Sequence, residues 1–215
     1  MKILPGIRPK TWWEDFWKDP ICGYGDPGQT LPRFASEFYT DLIKPNYQPK
    51  AVDIGSGDGR YAVALAQIGY KTDALELTDS GVDRILKLAQ QKNVQVKAEQ
   101  GDFTKLWNTE KNYDVVISAG LVEEIDPISH ENIIQGYKNW TRVGGYILLK
   151  YCLEIAGRGK LIERGLIPKL FTNEKWKLIF WEEGTEMHPS RAKYTTENGT
   201  DSAVMTGTLV AQRLS

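Results

Sequence analysis

Residues 51–60 read AVDIGSGDGR. An acidic residue, Asp53, stands inside a short apolar run, and Gly55, Gly57 and Gly59 alternate behind it before a stretch of helical pattern. Glycines at this spacing permit a tight turn and let a ligand approach the main chain closely. The start of the following helix offers unpaired N–H groups beside it. The chemistry is that of a strand–loop–helix site for a nucleotide-like ligand. The spacing departs from the dinucleotide fingerprint G-x-G-x-x-G: Arg60 holds the last position, and the third glycine comes one residue earlier.

Such a loop needs a sheet to hold it, and the sequence supplies one. AVDIG is a short apolar strand, GRYAVALAQIG a helix closing at Gly69, and KTDALEL a second strand. Asp79 or Ser80 is then placed to cap the helix SGVDRILKLAQQK. VQVKAEQGD reads as a third strand, YDVVISAG as a fourth, ISHENIIQGYKNWTRV as a helix capped near Asp126 or Ser129, and GGYILLKYC as a fifth strand. Strands alternating with helices imply parallel βαβ units with helices on both faces of one sheet. WKLIFWEEGTE and SAVMTGTLVAQRL leave no room for a helix between them and predict an antiparallel hairpin at the sheet's edge; the polar MHPSRAKYTTENGTD links them as a loop. The expected fold is α/β, a Rossmann-like, doubly wound, mostly parallel seven-stranded sheet with an antiparallel C-terminal hairpin. Residues 1–215 form one domain in this reading, 46–215 being the core. Residues 1–45 form a separate aromatic segment, with Trp12, Trp13, Phe16 and Trp17 at helical spacing, a turn-rich stretch, and the helix FASEFYTDLI stopped at Pro45.

DIGSGDG resembles the first motif of class I S-adenosylmethionine (SAM) dependent methyltransferases, D-x-G-x-G-x-G. The resemblance covers roughly residues 50 to 150 and implies SAM as cofactor. Gly55, Ser56 and Gly57, with Gly59 closing the loop, would face the methionine end of SAM, and Asp53 would bear on the same region. The family's second motif is an acid ending strand two. Glu76, followed by Leu77, is the candidate, because a carboxylate accepts two hydrogen bonds and suits the paired ribose hydroxyls; Asp73 is its rival. Asp102 and Phe103 match the family's position near the adenine amine and ring. Ser118 and Ala119, ending the fourth strand, would lie beside the sulfonium, and TRVGGYILL resembles the family's Gly-Gly turn into strand five. Glu123, Glu124 and Asp126 follow that fourth strand. Acids there favour an amine or guanidine nitrogen as methyl acceptor, with Glu123 and Glu124 as catalytic candidates. A looser resemblance, carried by EMHPSR, ENG and TGTLVAQR, is to tellurite-resistance and thiopurine-type small-molecule methyltransferases. His188 is retained from that pattern as a third catalytic candidate, but Pro189 replaces its arginine. The resemblance also implies a lid from the N-terminal segment, with Trp13, Trp17 and Tyr24 as contacts to substrate.

Composition narrows the alternatives. Lys and Arg number 27 against 28 Asp and Glu, a formal net charge of -1. That gives no electrostatic footprint for nucleic acid and no polybasic patch for anionic lipid. Cys22 and Cys152 form no metal or redox spacing, so no metal site is expected. No apolar run approaches the roughly 20 residues that span a bilayer, and MKILPGIRPKTWW lacks a signal-peptide core. The expectation is a cytoplasmic monomer or homodimer acting on a small-molecule acceptor, without nucleic-acid or membrane partners. O- or S-methylation, a nicotinamide dehydrogenase, and a SAM-binding sensor without turnover are the competing readings.

Overall fold

The computed structural model describes residues 8–19, 26–155, 159–188 and 202–215, with the backbone alone at 186–188 and 202–203. Its strands are β1 (Lys50–Ile54), β2 (Lys71–Glu76), β3 (Val96–Gln100), β4 (Tyr113–Ala119), β5 (Thr141–Ile155), β6 (Gly159–Lys160), β7 (Trp176–His188) and β8 (Ser202–Arg213). The helices are α1 (Lys10–Lys18), α2 (Thr30–Leu42), α3 (Arg60–Ile68), α4 (Asp79–Gln91), α5 (His130–Trp140) and α6 (Leu166–Lys169).

Successive side chains of a strand point to opposite faces, and here both faces are apolar. Ala51, Val115, Ile117, Tyr146, Leu148 and Val210 pack against α2 and α3. Their neighbours Val52, Val116, Ile147, Leu149, Leu209 and Ala211 pack against α5 and the segment around α6. A central strand covered twice must be apolar nearly throughout, which is the pattern of YDVVISA. The helices answer with one stripe each: Leu31, Phe34, Ala35, Phe38 and Leu42 are the buried positions of α2, and Phe38 stacks on Tyr146 at 3.8 Å.

The strand order is β3-β2-β1-β4-β5-β8-β7, with the two-residue β6 paired to β5 as an addition to the expected seven. β1 to β5 run parallel, and β8 lies antiparallel between β5 and β7. The expected hairpin is present, its pairing running from Trp176↔Arg213 to His188↔Ser202. The strand order reverses between β1 and β4. In open α/β sheets that switch point opens a crevice at the C-terminal ends of the strands, and the glycine loop lies there.

Some boundaries differ from expectation for local reasons. Thr78, not Asp79 or Ser80, caps α4, its hydroxyl accepting from Gly81 N. Asp126 accepts from Ile128 N and so caps only a short 3-10 turn (Pro127–Ser129) ahead of α5, while Ser129 makes no side-chain cap. α5 stops at Trp140, because Thr141 is already extended and starts β5. Among the described residues no helix is long and apolar enough to cross a membrane.

The N-terminal end of the sheet is held by one carboxylate. Asp114 is fully buried and accepts from Tyr47 Oη at 2.7 Å, Lys50 N at 2.7 Å and Arg142 Nε at 2.5 Å. It therefore joins the α2–β1 connection, β1 and β5. Removing one partner from a buried hydrogen-bonded charge network costs about 3 kcal/mol or more. Asp114→Ala is expected to lose about that much stability in urea unfolding; an unchanged midpoint would contradict this assignment.

Candidate active site

Three glycines of the loop have positive φ: Gly55 at 70°, Gly57 at 56° and Gly59 at 82°. Side-chain-bearing residues adopt this left-handed backbone at a cost, which is why the alternation reads G-x-G-x-G. Two buried carboxylates fix the loop between them. Asp53 lies near the end of β1, and its Oδ2 accepts from Ser56 Oγ at 2.7 Å and from Ala62 N at 3.0 Å. Glu76 ends β2; its Oε2 accepts from Gly57 N at 2.9 Å, and its Oε1 from Thr78 N at 3.1 Å and Thr78 Oγ1 at 2.8 Å. Burial raises both carboxyls, Asp53 to about 6, although their hydrogen bonds to the loop act the other way. Asp53 Oδ1 is buried with no hydrogen-bond partner.

The glycines serve different surfaces. A Cβ on Gly55 would come within 3.1 Å of the Leu121 side chain, and one on Gly57 within 2.7 Å of the Trp17 ring. A Cβ on Gly59 would meet the Ile85 backbone at 2.9 Å, so its missing side chain lets α3 and α4 pack closely.

The other expected positions divide. Leu77 is half-buried just past β2, its carbonyl accepting from Gln100 Nε2 at 2.8 Å. Asp102 Oδ1 accepts from Thr104 N at 3.0 Å and Thr104 Oγ1 at 2.6 Å, so it caps the 3-10 turn Phe103–Lys105. Phe103 is buried, stacked on Tyr137 at 5.2 Å and edge-on to Trp140 at 5.0 Å. It belongs to the core against α5. Ser118 is buried and donates to Ile54 O at 2.8 Å, with Tyr137 Oη at 3.0 Å, tying the ends of β1 and β4 to α5. Ala119 is half-buried against the α2–α3 side. Tyr24 lies outside the described residues, as does the side chain of His188, whose backbone ends β7.

Beyond β4 the chain makes a 3-10 turn, Val122–Glu124. Glu123 is 6% exposed, and its Oε2 has no hydrogen-bond partner. A Cβ on Gly120 would stand 3.8 Å from its Oε1, so the carboxyl lies against the end of β4. Burial pushes it up to about 7, with the Glu124 charge adding to the rise and the Cys152 thiol working against it. Asp126, the third acid of the group, is taken up in capping its own turn. Among the described residues no group of three or more His, Cys, Asp or Glu is placed to hold a metal ion.

α1 crosses over these strand ends. Trp17 is 4% exposed and lies on Gly57. It stacks with half-buried Trp13 at 5.9 Å and meets Phe16 edge-on at 4.7 Å. Glu14 and the end of α1 grip α4: Ser80 N donates to Glu14 Oε1 at 3.2 Å, Ser80 Oγ to Glu14 O at 2.9 Å, and Arg84 to the carbonyls of Trp17 and Asp19. At the other side Arg8 pairs with Glu124 at 3.4 Å. Arg8, Glu14 and Arg84 escape a sequence reading because their partners lie 65 to 116 residues away. Thr78 was passed over for Asp79 and Ser80, although a Thr just before a helical run is itself a helix-start signal.

The sheet order, the switch-point glycine loop and the acid ending β2 are those of the class I SAM-dependent methyltransferase fold, and the unpartnered Asp53 oxygen beside the glycine loop fits SAM as its cofactor. Within that class the chain belongs to the family of tellurite resistance protein TehB, whose sequence pattern matches residues 35–157. It is 23% identical over 156 residues to TehB of Haemophilus influenzae, a probable S-adenosyl-L-methionine-dependent methyltransferase. That match takes in 68% of this chain and 54% of the relative, so the chain spans about half the length of this curated relative. The crystal structure of Haemophilus influenzae TehB superposes with a TM-score of 0.70 at 17% identity, over 94% of this chain and 67% of that one. Magnesium protoporphyrin IX methyltransferase from Synechocystis PCC 6803 with bound SAM gives a TM-score of 0.57 at 16% identity, over 93% of this chain and 96% of that one.

The buried acid at 123 has a thermodynamic consequence. A carboxyl whose folded pKa lies above its unfolded value stabilises the fold below the unfolded pKa and loses that contribution as pH rises through the folded one. Between an ordinary value of 4.5 and about 7, Glu123 is expected to cost the fold roughly 3 kcal/mol on going from pH 4.5 to pH 8. Glu123→Gln removes this dependence while leaving that of Asp53. Urea unfolding of both proteins at the two pH values measures the difference; parallel pH dependences would rule out a strongly raised Glu123.

Proposed function

We propose that the chain transfers the methyl group of SAM to the nitrogen of a small amine or guanidine. The observation that carries the reading is Glu123, a nearly inaccessible carboxyl at the end of β4 with one oxygen unpartnered. A buried acid of that kind needs a cation or a proton. An ammonium acceptor supplies both and must lose a proton before its lone pair is available.

Bound SAM supplies a methyl already activated by its sulfonium. Gly55, Ser56 and Gly57 would hold its methionine end, Glu76 and Leu77 its ribose, and Asp102 its adenine side, with Ser118 and Ala119 at the end of β4 where the methyl group would lie. The protein's own part is placement and proton handling. Glu123 draws the protonated acceptor to the strand end by charge and accepts its proton. The chain's residues would then have to hold the freed lone pair in reach of the activated methyl, since orientation of the two reactants is what lowers the barrier. A carboxyl titrating at about 7 is matched to that transfer near neutral pH.

α1 serves as the lid. It is clasped to Glu124 on one side and to Ser80 and Arg84 on the other, and so excludes water from the strand ends. The Trp17 ring covers the face of Gly57 that the cofactor approaches, so the ring shifts when SAM binds. Small size and balanced charge support a compact acceptor.

Turnover of labelled SAM with a panel of small amines, guanidines, phenols and thiols tests the reading. An amine or guanidine is expected to be methylated at a rate that rises with pH through about 7, and Glu123→Gln is expected to lose about 10²-fold or more, together with that limb of the profile. Removal of residues 1–29 is expected to spare SAM binding and abolish turnover. Methylation of phenols or thiols alone would overturn the nitrogen acceptor, and full turnover without residues 1–29 would overturn the lid.

A further inference from the structure

Arg8 precedes α1, separated from it by Pro9, and its guanidinium is held among rings and an acid. It pairs with Glu124, whose side chain is 8% exposed, while Arg8 itself is 18% exposed. The same guanidinium lies 4.2 Å from the Trp12 ring centroid and 5.3 Å from that of Trp13. The two indole planes stand at 86° to one another with centroids 4.8 Å apart. They form an aromatic corner, closed by a buried carboxylate. Rings and an acid around one cation are the ingredients of recognition for planar or alkylated cations. One residue before Glu124, the Glu123 carboxyl keeps an unpartnered oxygen in the same turn.

We propose that Trp12, Trp13 and Glu124 form the subsite for the cationic group of the acceptor, and that Arg8 fills it as an internal stand-in for a guanidinium substrate. The inference rests on the amine or guanidine reading above and narrows it to a planar cation. Its mechanics depend on where the parts are attached. Trp12 and Trp13 ride on α1, which Ser80 and Arg84 fix to α4. Arg8 lies outside the helix, so its side chain swings out while the corner stays in place. The acceptor's guanidinium then replaces that of Arg8 between the indoles and Glu124, at the 3-10 turn that also carries Glu123. Charge is conserved in the exchange, one guanidinium for another, so Glu124 is never left buried and uncompensated. Arg8 thereby holds the acceptor subsite in shape before substrate arrives and competes with weak cations for it.

Binding separates this from a simple latch, in which Arg8 merely fastens the lid. The probe is methylguanidinium, with N-methylurea as its neutral counterpart, titrated into the full-length protein and followed by tryptophan fluorescence. Arg8→Ala is expected to bind methylguanidinium about tenfold more tightly than the unsubstituted protein, with N-methylurea unaffected. Arg8→Lys is expected to show a smaller gain than Arg8→Ala, because an ammonium fills the corner without the planar fit of a guanidinium, and Arg8→Ala with Glu124→Gln is expected to lose the gain. Hydrogen exchange of α1 in Arg8→Ala serves as the control for an intact lid. No gain in affinity with α1 still protected would overturn the subsite, as would a gain that survives Glu124→Gln. A loss of α1 protection without tighter binding would show a latch and overturn it as well. Methylguanidinium that binds as expected while no amine or guanidine is ever methylated would leave the subsite standing and overturn the nitrogen-acceptor reading instead.

Discussion

Asp53 and Glu76 are carboxylates placed where parallel strands end and where solvent is excluded. Neither is tolerable there without hydrogen bonds, and the loop provides a donor to each, Ser56 Oγ for one and Gly57 N for the other, with Ala62 N of α3 and Thr78 before α4 completing the sets. The exchange works both ways. The acids gain partners, and Gly55, Gly57 and Gly59 are held in left-handed backbone that would otherwise be one state among many. The loop is therefore set before any ligand arrives, which lowers the ordering cost of binding. It also explains why an acid sits inside the apolar run of β1.

The rest of the site is arranged around that loop. Leu121 lies against Gly55 and Trp17 against Gly57, so the glycines define how near the neighbouring elements come. The segment from Arg8 through α1 reaches over the loop from Glu124 to Ser80 and Arg84. It thus touches the turn after β4 and the first turns of α4 after β2, the two flanks of the crevice. Polar contacts on both flanks thus add to the packing of the buried Phe16 and Trp17 in seating the segment. Ser118 and Tyr137 do similar work beneath: their hydroxyls, fully buried, bind β1, β4 and α5 into one rigid floor.

Much of this was legible in the sequence because its causes are local. The nearly unbroken apolar run of YDVVISA and the turn glycines of DIGSGDG act over a few residues, and the parallel strands and the loop arise from such signals. The C-terminal hairpin was implied by the shortness of the link between its two runs. The features that escaped the sequence depended on distant partners. Nothing near Arg8 signals Glu124, 116 residues on. Phe103 fits a ring-packing pattern by position, and only the placement of Tyr137 and Trp140 on α5 shows that its ring turns inward. The three acids after β4 looked equivalent. Their neighbours separate them: Asp126 caps a turn, Glu124 meets Arg8, and Glu123 is left with an unpartnered oxygen.

Glu76 shapes the loop, through Gly57 N, and in the proposed function it has a second task, holding the ribose of the cofactor. Calorimetric titration of SAM into the unsubstituted protein, Glu76→Gln and Glu76→Ala tests that double role most directly. A charge-assisted contact of this kind is worth about 1.5 to 3 kcal/mol. Glu76→Gln keeps an acceptor for Gly57 N and is expected to lose roughly the lower figure. Glu76→Ala loses the loop contact as well and is expected to lose the higher figure or more. Equal SAM affinity in all three folded proteins would contradict the double role of Glu76.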